Sequence, residues 1–172
     1  MFETTRFFPW ALGLYVVWLV AGAVDFHLHR RSNLPMTSGL TESALHGAQL
    51  ACVGLGVLAW LSLAPSRSVG ATALVLAVVH VVMAYADTAS ADGCRRVTPL
   101  EQHVHSVLDA CPWIFAVAVV VSSEPGWRVE WQPRPLAVWA ALLVPTVPFV
   151  LVPWLIEFAA ALKWRRIRRA AS

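Results

Sequence analysis

Apolar residues along this chain fall in long blocks separated by short polar or broken stretches. Five blocks run roughly over 7–26, 45–63, 69–86, 104–121 and 136–162. Each has, or nearly has, the ~20 mostly apolar residues that a helix needs to cross a bilayer core. The links carry helix breakers: Pro35 and Gly39, then Pro65, then Gly93 and Pro99, then Pro125 and Pro133. Short links between successive helices favour antiparallel neighbours. The pattern therefore predicts an all-α integral membrane protein, one transmembrane domain over residues 1–172. Its expected form is an up-and-down bundle of four transmembrane helices plus a fifth, Pro-kinked C-terminal transmembrane helix. Pro145, Pro148 and Pro153 are the source of the kink. This last helix is expected to stand as an accessory beside a four-helix unit.

Composition strengthens that reading. Of 172 residues, 58% are hydrophobic and 13% charged, whereas a soluble domain carries about 25% charged residues. So small a body cannot hide that apolar excess inside. An ordinary soluble globule, a disordered chain and a collagen-like fibre are excluded. The net charge of +3 is small and localised, so the expected partner is the lipid bilayer and not nucleic acid. Cys52, Cys94 and Cys111 are an odd set without CxxC spacing. They read as small hydrophobes, with no disulfide framework and no structural zinc site.

The distribution of charge predicts an orientation. The tail Lys163-Trp164-Arg165-Arg166-Ile167-Arg168-Arg169 should be cytoplasmic. Five spans then put the N-terminus outside and the links with Arg30, Arg31, Arg95 and Arg96 inside. Nine Lys and Arg fall inside and four (Arg6, Arg67, Arg128, Arg134) outside. The expected location is the inner (plasma) membrane, multi-pass. Ala21-Gly22-Ala23 fits a signal-peptidase site, but cleavage there would leave the basic tail outside, so the first block reads as an anchor. Trp127 to Trp131 should lie at the outer headgroup level.

The ionisable residues carry the chemistry. All six histidines, and six of the ten acids, fall at the helix ends that this topology gathers on the cytoplasmic side. Residues four or seven apart share a helix face. That rule pairs Asp25 with His29, Glu42 with His46 and His80 with Asp87, and it strings Glu101, His105 and Asp109 into a stripe. A weak repeat relates Asp25…Glu42-x-x-x-His46 to Asp87…Glu101-x-x-x-His105, as if a parallel two-fold related helices one and two to helices three and four. The repeat fails at His29 and His80, whose counterparts are Ala91 and Trp18.

Ionisable groups within a membrane are expensive and usually face the bundle interior. Carboxylates and imidazoles together suit iron, manganese or zinc. The candidate metal ligands are Asp25, His29, Glu42, His46, His80, Asp87, Glu101, His105 and Asp109. So many donors exceed the needs of one zinc ion and favour a dinuclear, di-iron site. By analogy with soluble four-helix-bundle di-metal proteins, the expected activity is that of an oxidoreductase acting on an apolar or lipid-like substrate. Alternatives are a zinc-dependent lipid hydrolase, with Asp109 or Asp87 as base, and a divalent metal or proton transporter. The histidine boxes HxxxH and HxxHH of membrane desaturases are absent, as are a phosphate-binding glycine loop and a GxSxG elbow.

Several of these residues also have plainer roles. Thr98-Pro99-Leu100-Glu101 forms a capping box in which Glu101 is the reciprocal partner. Glu42 suits a helix start. His27 reads as interfacial, His103 as exposed and Asp92 as a turn residue. Glu157, near the basic tail, reads as snorkelling to the interface, with closure of the site as the alternative.

Overall fold

The computed structural model describes residues 4–171, and side chains from residue 9 onward; the expectation for the Arg6 side chain lies outside the described residues. Helix α1 spans Thr4–Arg31, α2 Gly39–Ser62, α3 Arg67–Ala91 and α4 Pro99–Val121. The last block divides into α5, Leu136–Thr146, and α6, Val152–Ala170, joined by a π-helical turn over Val147–Leu151. Together they form one 35-residue path, and all five blocks are long and apolar enough to cross a membrane. Among the described residues there are no strands.

Every helix reaches further than its apolar block. At one end of the bundle α1 continues to Arg31, α2 begins at Gly39 and α4 at Pro99. The polar residues outside the blocks are therefore helical. Caps explain these starts. Gly39 has φ +63°, a left-handed conformation that glycine adopts without a Cβ penalty. Thr98 closes its capping box with Glu101.

Outward faces are apolar. Val16, Val20, Leu55, Val75, Val78, Val82, Ile114 and Val117 are all exposed, while Asp25, His29, Glu42, His46, His80, Asp87, Glu101 and Glu157 are buried. This inverts a soluble protein and is the arrangement that a lipid solvent favours.

The helices pack as a closed ring. α1 touches α4, α4 touches α3, α3 touches α2, α2 touches α6, and the π turn and α5 return to α1. The fifth helical path is thus a wall of the bundle and not an accessory beside four others. Two features seat it. The 32–38 link holds α1 and α2 apart with a short 3-10 turn, Leu34–Met36. Gly47 then leaves a groove on α2, where a Cβ would stand 2.5 Å from the Trp154 ring. Trp154 lies in that groove and its Nε1 donates to the Ser43 carbonyl at 2.9 Å.

Of the prolines expected to kink the last span, Pro148 lies within the π turn and Pro145 and Pro153 flank it. Pro lacks the N–H that would close the ladder, and a π turn is one way to absorb the gap. The Leu142 carbonyl nearby accepts from the Tyr15 hydroxyl and from Thr146 Oγ1. At the opposite end from the histidines, residues 122–135 lie across the α2–α3 turn. Ala64 N donates to the Glu130 carbonyl, Gln132 N to Ser62 and Arg134 N to Leu61, at 2.8–2.9 Å. Trp127 and Trp131 stay exposed.

Candidate metal centre

One end of the ring gathers the last two turns of α1, the first two of α2, the last of α3, the first two of α4 and the middle of α6. The i, i+4 spacing turns their polar residues inward. Five carboxylates (Asp25, Glu42, Asp87, Glu101, Glu157) and the imidazoles of His29 and His46 are at most 8% exposed there. His105 is partly buried, and the Arg95 side chain, from the α3–α4 link, is 3% exposed.

The weak repeat in the sequence becomes a set of reciprocal pairs. His105 Nε2 donates to Asp25 Oδ1 at 3.0 Å, and His46 Nε2 donates to Asp87 Oδ2 at 3.0 Å. Each half supplies the acid for the other half's imidazole. Between them Arg95 Nη2 stands 2.5 Å from Glu42 Oε1 and 2.5 Å from Glu101 Oε1, and its Nε donates to Glu42 Oε2 at 3.2 Å. Burial by itself would lower the pKa of this guanidinium. The hydrogen bonds to the two glutamates reverse that and raise it, so Arg95 is a fixed cation. Glu101 closes the capping box and still faces the cluster: Oε2 accepts from Thr98 N at 3.4 Å, which leaves Oε1 turned to the interior.

His29 breaks the symmetry. It is 1% exposed, and its ring stacks on His46 with centroids 4.7 Å apart and planes 4° from parallel. Phe26 meets both rings edge-on. Glu157 bridges the pair, accepting from His29 Nδ1 at 3.0 Å and from His46 Nδ1 at 3.2 Å. The other nitrogen, His29 Nε2, makes no hydrogen bond. Carboxylate oxygens surround it at 3.4 Å (Asp25), 3.7 Å (Glu101) and 4.0 Å (Glu42). Donor atoms sharing one ion through bonds of about 2.0–2.2 Å stand about 3–4 Å from one another. Two groups of side chains could hold a metal ion by this criterion: Asp25, His29, Glu101 and His105, and His29, Glu42 and His46.

Charge balance points the same way. His46 donates from both ring nitrogens and is therefore an imidazolium, so five carboxylates face two cations, His46 and Arg95, leaving three negative charges in a water-poor interior. Such charges must be paired or must coordinate metal.

Seven of the nine residues expected as ligands therefore meet in one cluster. Six of them belong to the two groups, and Asp87 bonds His46. His80 and Asp109 do not join. They lie further along α3 and α4, 4.0 Å from each other, and Asp109 has a side chain 40% exposed. Position explains this: seven residues before Asp87 is about 10 Å along a helix axis. His27, His103 and Asp92 are exposed, as expected.

Two members are not among the expected ligands. The basic tail after Glu157 favours the interface over the site, although an acid within an apolar span is a functional candidate by default. Arg95 was counted only as a topological charge, and no spacing signal ties a link residue to the helix stripes.

Two cavities adjoin the cluster. A polar one of about 60 Å³ is bounded by Asp25, His46, Asp87, His105, His80 and Asp109. An apolar chamber of about 250 Å³ occupies the ring's centre toward the opposite end, with walls from all five blocks. His80 borders both.

No family model matches the chain, and no curated protein or solved structure matches it either. The class that fold and site define is an all-α bundle with five helical paths of membrane-crossing character and a buried carboxylate/His cluster that could hold metal.

Proposed function

We propose that this protein is a membrane metalloprotein, with a primary ion held by Asp25, His29, Glu101 and His105. The observation that carries the reading is His29 Nε2, buried, without a hydrogen bond, and ringed by carboxylates from three helices at 3.4–4.0 Å. A second ion would use Glu42 and His46, with His46 exchanging one carboxylate contact for the metal. Once His46 gives up a proton to ligate, two divalent ions would balance the four negative charges that remain. Asp87 and Glu157 would then orient imidazoles, as outer carboxylates do in metal sites.

The finer reading is a dinuclear iron centre in an oxidoreductase acting on an apolar or lipid-like substrate. The donor set of carboxylate and imidazole supports iron or manganese, and the neighbouring apolar chamber supports the substrate class. The test is elemental analysis with an optical spectrum and oxygen uptake on the same purified sample. About two iron or manganese ions per chain, no haem band and substrate-dependent oxygen uptake are expected. One zinc ion per chain without oxygen uptake would replace this reading with hydrolysis. A protein that takes up no metal would overturn it.

A further inference from the structure

The apolar chamber raises a question that the cluster does not answer. Its walls are aliphatic and aromatic, with no carboxylate, lysine or arginine among them. Its two hydroxyls are already engaged: Tyr15 and Thr146 bond each other at 2.9 Å and share the Leu142 carbonyl. The thiols of Cys52 and Cys111 are weak partners. One strongly polar side chain on the wall is left unsatisfied. His80 is 3% exposed; its Nδ1 is sealed off without a hydrogen-bond partner, 4.0 Å from Asp109 Oδ1 and too distant to bond it, so Nε2 is the ring nitrogen left for a ligand.

We infer that the chamber binds a medium-chain amphiphile bearing a single hydroxyl or carbonyl oxygen, its apolar body filling the chamber and its oxygen hydrogen-bonded to His80. Three observations converge on that chemistry. The volume, about 250 Å³, exceeds the ~150 Å³ that accommodates a benzene ring. The walls reject charge, and a dry apolar cavity does not hold water. A hydrocarbon alone would leave His80 unpaired, a buried deficit that a single oxygen removes.

The route in is lateral. Leu58 on α2, Leu143 on α5 and Leu151 on the π turn line the chamber yet are 38–40% exposed on the outer surface. A ligand dissolved in the bilayer would pass between α2 and the α5–π segment. Because His80 also borders the polar cavity, the oxygen-bearing end would face the metal cluster. That this ligand is the substrate rests on the metalloprotein reading; that it binds does not.

The test uses the full chain in lipid nanodiscs, with radiolabelled 1-octanol and n-octane as probes and empty nanodiscs as the partition control. Saturable binding of about one 1-octanol per chain is expected, with n-octane binding about tenfold weaker. Ala77→Phe should abolish saturable binding, since Ala77 lines the chamber and is 2% exposed. His80→Leu should bring 1-octanol down to the level of n-octane. It adds no bulk and reports even if Ala77→Phe fails to fold. Metal content is measured on every sample. Binding that survives both substitutions, or equal wild-type binding of the two probes, overturns the inference. Chamber-dependent binding to a protein that takes up no metal would keep the inference and remove the metalloprotein reading.

Discussion

The half built from α1 and α2 and the half built from α3 and α4 carry the same polar pattern, yet only the first adds a second imidazole to the cluster. Asp25, Glu42 and His46 in the first match Asp87, Glu101 and His105 in the second, and the pairs cross at equal distances of 3.0 Å. Arg95 lies between the two glutamates, where an axis relating the two halves would run. Four residues after Asp25 comes His29; four after Asp87 comes Ala91, small and buried. The last helix deepens the difference, because Gly47 admits Trp154 against α2 and so brings Glu157 beside His29 and His46. The symmetric part balances charge around Arg95. The asymmetric part creates a nitrogen with no hydrogen bond among carboxylates. Metal binding should therefore sit off the axis, toward His29 on α1.

That difference can be broken in graded steps. The largest effect on stability is expected at the axis. Arg95→Gln leaves Glu42 and Glu101 buried without their cation, and losing one partner of a buried charge network costs about 3–5 kcal/mol. Thermal unfolding of the metal-free variant in detergent should show the loss, and added metal should restore part of it by binding only the folded state. Next comes His29→Ala. Metal affinity should fall at least ~100-fold, about 2.7 kcal/mol, with helical content by circular dichroism unchanged; unaltered affinity would remove His29 from the centre.

Smaller steps sharpen the comparison. Glu157→Gln should weaken metal binding by about 10–100-fold, the usual cost of disturbing a carboxylate that orients a ligand imidazole. Competition with a chromophoric chelator measures it. Asp25→Asn and Asp87→Asn test the axis directly. An exactly two-fold site would suffer equally from both, whereas the off-axis site predicts that Asp25→Asn costs about tenfold more affinity. His103→Ala should change neither metal content nor stability beyond about 0.5 kcal/mol, because His103 is exposed.

Much of this was legible before any coordinates. Apolar block length decided the helix count, and i, i+4 spacing placed Asp25 with His29 and Glu42 with His46. The Asp…Glu-x-x-x-His repeat points to two converging acid–His sets but not to their crossing. Helix ends are less legible, because a lipid-scale reading stops where polar residues begin, while the left-handed Gly39 and the Thr98 capping box start α2 and α4 before them. His80 was over-read: a seven-residue spacing fixes the face of a helix but not the depth, and His80 ended at the chamber. Glu157 and Arg95 depended on tertiary facts. One required the Gly47 groove that seats the last helix, the other a link folding back over the bundle end. Neither leaves a periodic trace.

The most direct test of the central claim is X-ray absorption at the metal edge of protein purified after loading with iron, manganese or zinc. A nitrogen/oxygen shell at about 2.0–2.2 Å with outer-shell imidazole scattering is predicted, diminished in His29→Ala and retained in His103→Ala. An oxygen-only hydration shell, or an imidazole signal that His29→Ala leaves untouched, would contradict the assignment of this cluster as a metal centre.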